Sequence, residues 1–419
     1  MPLGLLALGS WLEGRHVVVI DGRFELAPEA RVVELAKSAL LLGVSVRTGE
    51  PLREALRVSR AARAASPRLP VVWGGPHVSL DPASCLASGV VDACVPGAGE
   101  EALQGAVTAL RSARPLASVP GLAVAGAEAT APASPPTRLW PRADYSLLDV
   151  ERYFEERGAR LLDYCSSRGM REAPDWLGLR PERVVGEAIE LGERYRVSGL
   201  RFQDEDFFAD PDRLTAIADG LIEAGAPLGW LAEARLADVL EAPPDTLRRL
   251  AASGCRRLQL VVAAVTRERV LETAARLRDA GLGGRFVFDV AERKNGGRDL
   301  ATAISAARAL CAMDSRFVTP IRQHREPHSH AEGGRSLEAW AALEKTPWDA
   351  AAERRLSRAA FYFAEAQRPP GRRLGKHLLR VLALLRVRLG FFALDLERVA
   401  VELSALLRTG RARPRPGGD

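Results

Sequence analysis

Four groups of residues in this chain have types and spacings that suit chemistry. The segment FQDEDFF places Asp204, Glu205 and Asp206 where a β-branched and aromatic run ends, and Arg235 follows a similar run, GWLAEARL. Carboxylates at the carboxyl end of a strand suit a substrate or cation contact, so Asp204, Asp206 and Arg235 are the candidate catalytic residues. The competing reading is a polar loop that caps the next helix through Asp210 or Asp212, with Arg201 and Arg235 in ordinary ion pairs. A second group, His324, His328 and His330 beside Glu326, offers three imidazoles, but its spacing matches no helical or finger pattern and an exposed loop is the expectation. No metal ligand is assigned. The third group consists of small residues in three loops: Ser45, Thr48 and Gly49; Gly74 and Gly75; and Gly97 and Gly99 with Glu100. A hydroxyl that can hydrogen-bond beside backbone that lacks Cβ suits a flat ligand inserted edge-on. The fourth is DYCSSRGMREAPDW, residues 163–176, where one thiol, Cys165, precedes Met170 and Trp176.

The elements that must carry these groups alternate strand with helix. HVVVIDG, ALLLGVSVRTG, LPVVWGGPH and VVDACVPGAGE read as four strands, with helical patterns such as PLREALRVSRAARAA between them. After a Pro/Ala-rich connection the alternation resumes with GLRFQDEDFF, LGWLAEARL, CRRLQLVVAA, GRFVFDVA and SRFVTPI, separated by helical stretches of about 10 to 15 residues. Both halves are therefore α/β with parallel sheets, and ligands are expected at the carboxyl ends of the strands.

The small-residue loops resemble the cobalamin-binding domain of the cobalamin-dependent radical S-adenosylmethionine (SAM) enzymes. Ser45 follows LGV, Gly74-Gly75 follows the next strand, and DACVPGAGE is similar to that family's closing turn. The resemblance implies a Rossmann-like, flavodoxin-like domain in which Ser45, Thr48, Gly49, Gly74, Gly75, Gly97, Gly99 and Glu100 contact cobalamin, with Ser45 and Gly74-Gly75 lining the slot for its nucleotide tail. It also implies a strand ahead of Pro2 that is absent here, so that either an upstream segment supplies it or the domain is truncated and binds its cofactor more weakly. The Asp-x-His-x-x-Gly motif of an axial histidine is absent, and His16 and His77 are read as surface loop residues. RFQDEDFFADPDRL and GWLAEAR resemble the second and third strands of the radical SAM partial TIM barrel, so the likeness extends over most of the chain. The departures are chemical. A four-iron cluster needs three thiolates on one short loop, CxxxCxxC, and here the first of those positions falls on Met170 and the others in REAPDW. LVVAAV, with Val261, Ala263, Ala264 and Val265, replaces the Gly-x-Glu-Ser-Gly strand that contacts SAM. Asp289, Val290 and Ala291 replace Gly-x-Pro, and TPIRQHREPHSH replaces the Pro-Tyr-Pro-Gly-Thr turn. Cobalamin is the expected cofactor, no four-iron cluster is expected, and SAM has lost its usual contacts.

The expected organisation is a cobalamin-binding domain over 1–125, a linker over 126–150, a degenerate radical SAM-like barrel over 151–345, helices over 346–410 and a basic tail over 411–419. A chain of 419 residues, 47% hydrophobic and 27% charged, is long enough for two or three domains. It has no apolar run near the roughly 18 residues of a membrane span. MPLGLLALGSWLEGRH lacks the basic start of a signal peptide, and five widely spaced cysteines suit a reducing compartment, so a cytoplasmic location is expected. The net charge of +6 comes almost wholly from scattered arginines, which argues against nucleic acid as a partner. The basic amphipathic pattern after residue 346 suits packing across the barrel more than a membrane surface. Two functions follow: a cobalamin-dependent methyl-transfer or related biosynthetic enzyme acting on a small molecule without radical chemistry, or a pseudoenzyme that partners an active radical SAM protein or carries or senses cobalamin.

Overall fold

A computed structural model describes residues 1–12, 14–127, 141–172, 176–226, 228–263, 266–290, 296–314, 316–323, 336–341, 350–367 and 374–389. They divide into two compact units, Met1–Ala159 with Glu326–Lys345, and Arg160–Arg325 with Thr346–Asp419. The histidine group at 324–330, Ala264, Val265, Ala291, most of the Pro/Ala-rich connection and the tail at 411–419 lie outside the described residues.

The first unit is built on a parallel sheet of three strands, β1 (Leu42–Ser45), β2 (Val71–Gly74) and β3 (Ala93–Val95), in that order. Successive side chains of β2 point to opposite faces, and both faces are covered. Val71 and Trp73 pack with Leu52, Ala55 and Leu56 of helix Glu50–Ala65. Val72 joins Ala93 and Val95 against Ala102, Ala106 and Ala109 of helix Glu100–Arg111. The Trp73 indole donates to Ser59 Oγ at 3.0 Å, so the largest buried side chain in this layer leaves no polar atom unmet. Helix Leu337–Ala341 also belongs to this unit rather than to the barrel-like half: Leu337 and Trp340 enter the Trp73 cluster, and Trp340 Nε1 donates to Asp81 Oδ2 at 2.9 Å.

The expected strand HVVVIDG is not one. Among the described residues no strand pairs with 16–22; Ile20 instead packs on the cluster of Val32, Ala36, Ala62 and Leu69. β-branched residues favour extended backbone, but a strand also needs a neighbouring ladder, and here the chain turns at Asp21, whose carbonyl accepts from Phe24 N at 3.0 Å. The Asp21 carboxylate accepts from Arg23 Nη2 at 2.7 Å and from the Tyr153 hydroxyl at 2.6 Å. Burial opposes its charge, but these donors outweigh burial and hold the carboxyl at about 2. Because that value lies below the ordinary 3.8, the contribution is complete above about pH 4 and is lost as pH falls through about 2. Asp21→Asn should therefore destabilise the unit at pH 6 by about 1 kcal/mol, after allowance for solvent screening, and the gap to wild type should close by pH 2, as read by acid unfolding.

The second unit holds the barrel-like sheet. Its strands are β4 (Leu161–Tyr164), the short antiparallel hairpin β5 (Ser167–Arg168) and β6 (Leu177–Gly178), then β7 (Gly199–Phe202), β8 (Gly229–Ala234), β9 (Cys255–Val262), β10 (Gly283–Val290), β11 (Phe317–Val318) and β12 (Ile321–Gln323). The main sheet is parallel and sequential, β4-β7-β8-β9-β10-β11, with β12 also on β10. Helices Pro181–Tyr195, Pro211–Glu223, Arg267–Asp279 and Gly296–Met313 form crossovers between these strands. Local signals set their starts: the Asp210 side chain accepts from Arg213 N at 3.0 Å, with Pro211 in the first turn. The core carries Phe202, Phe207 and Trp230, with ring centroids 4.5 to 5.7 Å apart. Helices Ala350–Ala366 and Leu374–Leu389 follow, and no described helix is long and apolar enough to cross a membrane.

Candidate functional site

In the first unit the parallel register sets Ser45 beside Gly74, and Gly74 beside Val95, so the three loops leave the sheet together at its carboxyl edge. Gly75 has φ +96°, and a Cβ there would lie 2.9 Å from Val46 N and O and 3.0 Å from Ser45 Oγ. Only glycine fits, and its absent side chain leaves the floor between the two loops open. Gly49, with φ +85°, starts helix Glu50–Ala65, and Ser45 at the rim is exposed while Thr48 is half-buried. Gly97 N donates to Ser79 Oγ at 2.8 Å, and Gly99 precedes helix Glu100–Arg111 with Glu100 buried in its first turn.

His77 is not a surface residue. It is 0% exposed, its backbone N–H donates to Val46 O at 3.1 Å, its Nδ1 pairs with Thr48 Oγ1 at 3.1 Å, and its ring meets Trp340 edge-on at 5.4 Å. Nε2 is buried with no hydrogen-bond partner. Proline at 76 starts a short helix that turns the ring inward, which a reading of GGPH as an exposed turn misses. His16 is exposed.

In the second unit the loops after β4, β7 and β8 converge, because these strands are adjacent in the sheet. Asp204 is 5% exposed and does not face outward: its Oδ1 accepts from Ser166 N at 2.7 Å, and its Oδ2 from Ser166 Oγ at 2.5 Å and Ser167 Oγ at 2.7 Å. Burial raises its carboxyl above the ordinary range, against the pull of these donors and of Arg213. Arg213 completes the knot, with Nε on Leu179 O at 2.7 Å and Nη2 on Ser166 O at 2.8 Å, while Gly178 leaves room for it. Burial lowers the Arg213 guanidinium, and the charge of Asp204 opposes that shift.

Asp206 binds a different partner. Arg171, from the stretch that follows Met170, grips it through Nε to Oδ2 at 2.7 Å and Nη2 to Oδ1 at 2.5 Å, and reaches Asp238 Oδ1 at 2.8 Å. Arg235 adds Nη2 to Asp206 Oδ2 at 3.2 Å and pairs with Glu172 through Nη1 at 2.5 Å. Burial alone would raise Asp206, but the two guanidiniums leave it below the ordinary range. Asp238, with a weaker share of Arg171, is raised by burial. Cys165 donates its thiol to Ser167 O at 3.1 Å, and burial, with the charge of Asp204 next, pushes it up to about 12. It is a protonated thiol at neutral pH, not a ready thiolate ligand. Arg201 pairs with Asp163 at 2.7 Å, and Glu205 accepts from Gly169 N at 3.1 Å. No group of His, Cys, Asp and Glu among the described residues is arranged to hold a metal ion.

Sequence reasoning thus found Asp204, Asp206 and Arg235 but missed the partners that define them: Ser166, Ser167, Arg171, Glu172, Arg213 and Asp238. REAPDW shows the absence of cysteine ligands plainly; the usable signal was the charge of Arg171 and Glu172 in that same place.

The architecture is that of an α/β protein with parallel sheets in both units and a match to a B12-binding domain at its start. Residues 1–107 match the family described as the B12 binding domain. The structure resembles the radical SAM methyltransferase TsrM from Kitasatospora setae, solved with tryptophan and a SAM analogue, with TM-score 0.60 and 19% identity, covering 77% of this chain and 70% of that one. It also resembles the cobalamin-dependent SAM radical enzyme OxsB, solved with aqua-cobalamin and SAM, with TM-score 0.60 and 16% identity over 81% of this chain and 52% of that one. Among curated proteins, the uncharacterized methyltransferase PH0819 of Pyrococcus horikoshii is 26% identical over 255 residues. That match takes in 56% of this chain and 55% of the relative, so the chain spans about half the length of the curated protein it matches. At these identities the solved structures establish a shared fold.

Proposed function

We propose that the chain binds cobalamin at the carboxyl edge of its first sheet and works without a four-iron cluster, in methyl transfer or a related biosynthetic step that is not radical. The edge fits the group: Ser45 and Thr48 offer hydroxyls beside the Cβ-free floor of Gly74-Gly75, and the matched domain family points the same way. When bound, cobalamin supplies a cobalt centre able to take up and pass on a methyl group. Ser45, Thr48, Gly49, Gly97, Gly99 and Glu100 are assigned to holding it, and the buried His77 ring is assigned no contact with cobalt.

The observation that carries the cluster-free reading is the Arg171 latch. Where the resemblance expects thiolates, a guanidinium closes onto Asp206 and Asp238, and the one nearby thiol is held protonated. Three soft anions at this turn would need a different loop. SAM has no assigned contact, since LVVAAV offers no polar group for it. The same latch favours a second reading. Asp204, Asp206 and Arg235 are taken up by internal pairs, which suits a cobalamin carrier or a partner of an active radical SAM enzyme as well as it suits a catalyst.

Gly75→Ala tests the cobalamin assignment. The methyl would strike Val46 backbone and strain a positive φ, so hydroxocobalamin binding by absorbance titration should weaken at least about 10-fold, while Gly14→Ala, at an open position outside this edge, should bind as wild type. Unchanged binding in Gly75→Ala would place the cofactor elsewhere.

A further inference from the structure

Resting on the cobalamin assignment, we infer that His77 is a positioning residue for cofactor recognition: its Nδ1–H holds Thr48 Oγ1 so that the Thr48 hydroxyl proton is directed to an acceptor oxygen of the nucleotide tail. The residue is anchored by its backbone N–H on Val46 O, and its imidazole is held by Thr48 and by the edge of Trp340. A neutral imidazole carries one proton, and the two nitrogens are not equivalent here. Nε2 is buried with no geometrically formed hydrogen bond, and the Cys85 thiol that bears on the ring is a better donor to a lone pair than acceptor from an N–H, so a proton on Nε2 would be poorly met. The proton therefore sits on Nδ1, the nitrogen that has Thr48 Oγ1 at 3.1 Å. A hydroxyl that accepts from His77 keeps its own proton to give. Thr48 is half-buried, two residues beyond Val46, whose backbone a Cβ on Gly75 would strike, so its hydroxyl belongs to the same group of strand-end residues assigned to the nucleotide tail, whose phosphate, ribose and amide oxygens are acceptors. A histidine that merely filled the core would show no preference for which part of the cofactor is bound.

Cobinamide, which has the corrin ring but no nucleotide tail, separates the two. Full-length wild type and His77→Phe are titrated with hydroxocobalamin and with dicyanocobinamide. The phenyl ring keeps the packing on Trp340 and removes the donor. The expected result is hydroxocobalamin binding weakened about 5- to 10-fold, the worth of one hydrogen bond, with cobinamide binding unchanged. His77→Asn, whose amide can donate from near the Nδ1 position, should recover most of the loss. Thr48→Val should weaken hydroxocobalamin to the same extent, and the double variant should be no worse than either single one. That comparison stands even if His77→Phe folds poorly, because Thr48→Val against His77→Asn then carries the test. Equal losses for both compounds, or none for hydroxocobalamin, would overturn the relay. A wild-type chain that binds neither compound would instead remove the cobalamin assignment beneath it.

Discussion

Asp204→Ala is expected to cost the second unit about 3 to 5 kcal/mol. The substitution frees the Ser166 amide, the Ser166 and Ser167 hydroxyls and the charge of Arg213 at once, in a place where none of them reaches water. Arg213 already leaves Nη1 unpaired and has its guanidinium lowered by burial, so it has no reserve partner once the carboxylate is gone. Asp204→Asn should fall between the two, since it keeps the volume and one acceptor but turns an amide donor toward hydroxyl or backbone donors. Urea unfolding read by tryptophan fluorescence suits the test, because Trp230 lies in this unit's core. A midpoint for Asp204→Ala within about 1 kcal/mol of wild type would show that the carboxylate faces the mouth and is not the organiser of the β4 loop.

Arg171→Ala comes next, with an expected loss of about 2 to 4 kcal/mol. Asp206 and Asp238 have side chains only 2% and 5% exposed, and both depend on this guanidinium. Without it Asp206 retains Arg235 and the backbone N–H at position 171, at 3.1 Å, and Asp238 retains the backbone N–H of Arg235 at 2.8 Å. Removing one partner of a buried pair costs more than the pair is worth, because the other charge is stranded. Arg171→Ala combined with Asp206→Asn should therefore be more stable than Arg171→Ala by more than half of the original loss, as measured by the same unfolding experiment. If the double variant is weaker than the single, the latch is not what holds Asp206.

The strands of both sheets were legible because β-branched runs such as LPVVWGG and CRRLQLVVAA end in small or polar residues at regular intervals. HVVVIDG shows the limit: its composition is that of a strand, but strand formation depends on a partner that local pattern does not contain. The small residues Ser45, Thr48, Gly74 and Gly75 were legible as a group because the parallel register aligns strand ends that share a composition. The acidic group was legible but its internal partners were not. Asp204 and Asp206 meet Ser166, Arg171 and Arg235 across 29 to 38 residues of sequence, and a carboxylate facing Ser166 reads the same in the sequence as one facing a substrate. Likewise GGPH reads as a turn, and only the packing of Trp340 against the ring shows that His77 lies inside.

Metal analysis of the full-length chain, purified without air after incubation with hydroxocobalamin, ferrous iron and sulfide, decides whether the second unit holds a cluster. The expected result is close to one cobalt per chain, no bound iron and no charge-transfer band beyond the corrin spectrum. Four irons per chain with a brown chromophore would contradict it, since the turn around Cys165 and Arg171 would then have rearranged to hold a cluster that its side chains, as placed, do not fit.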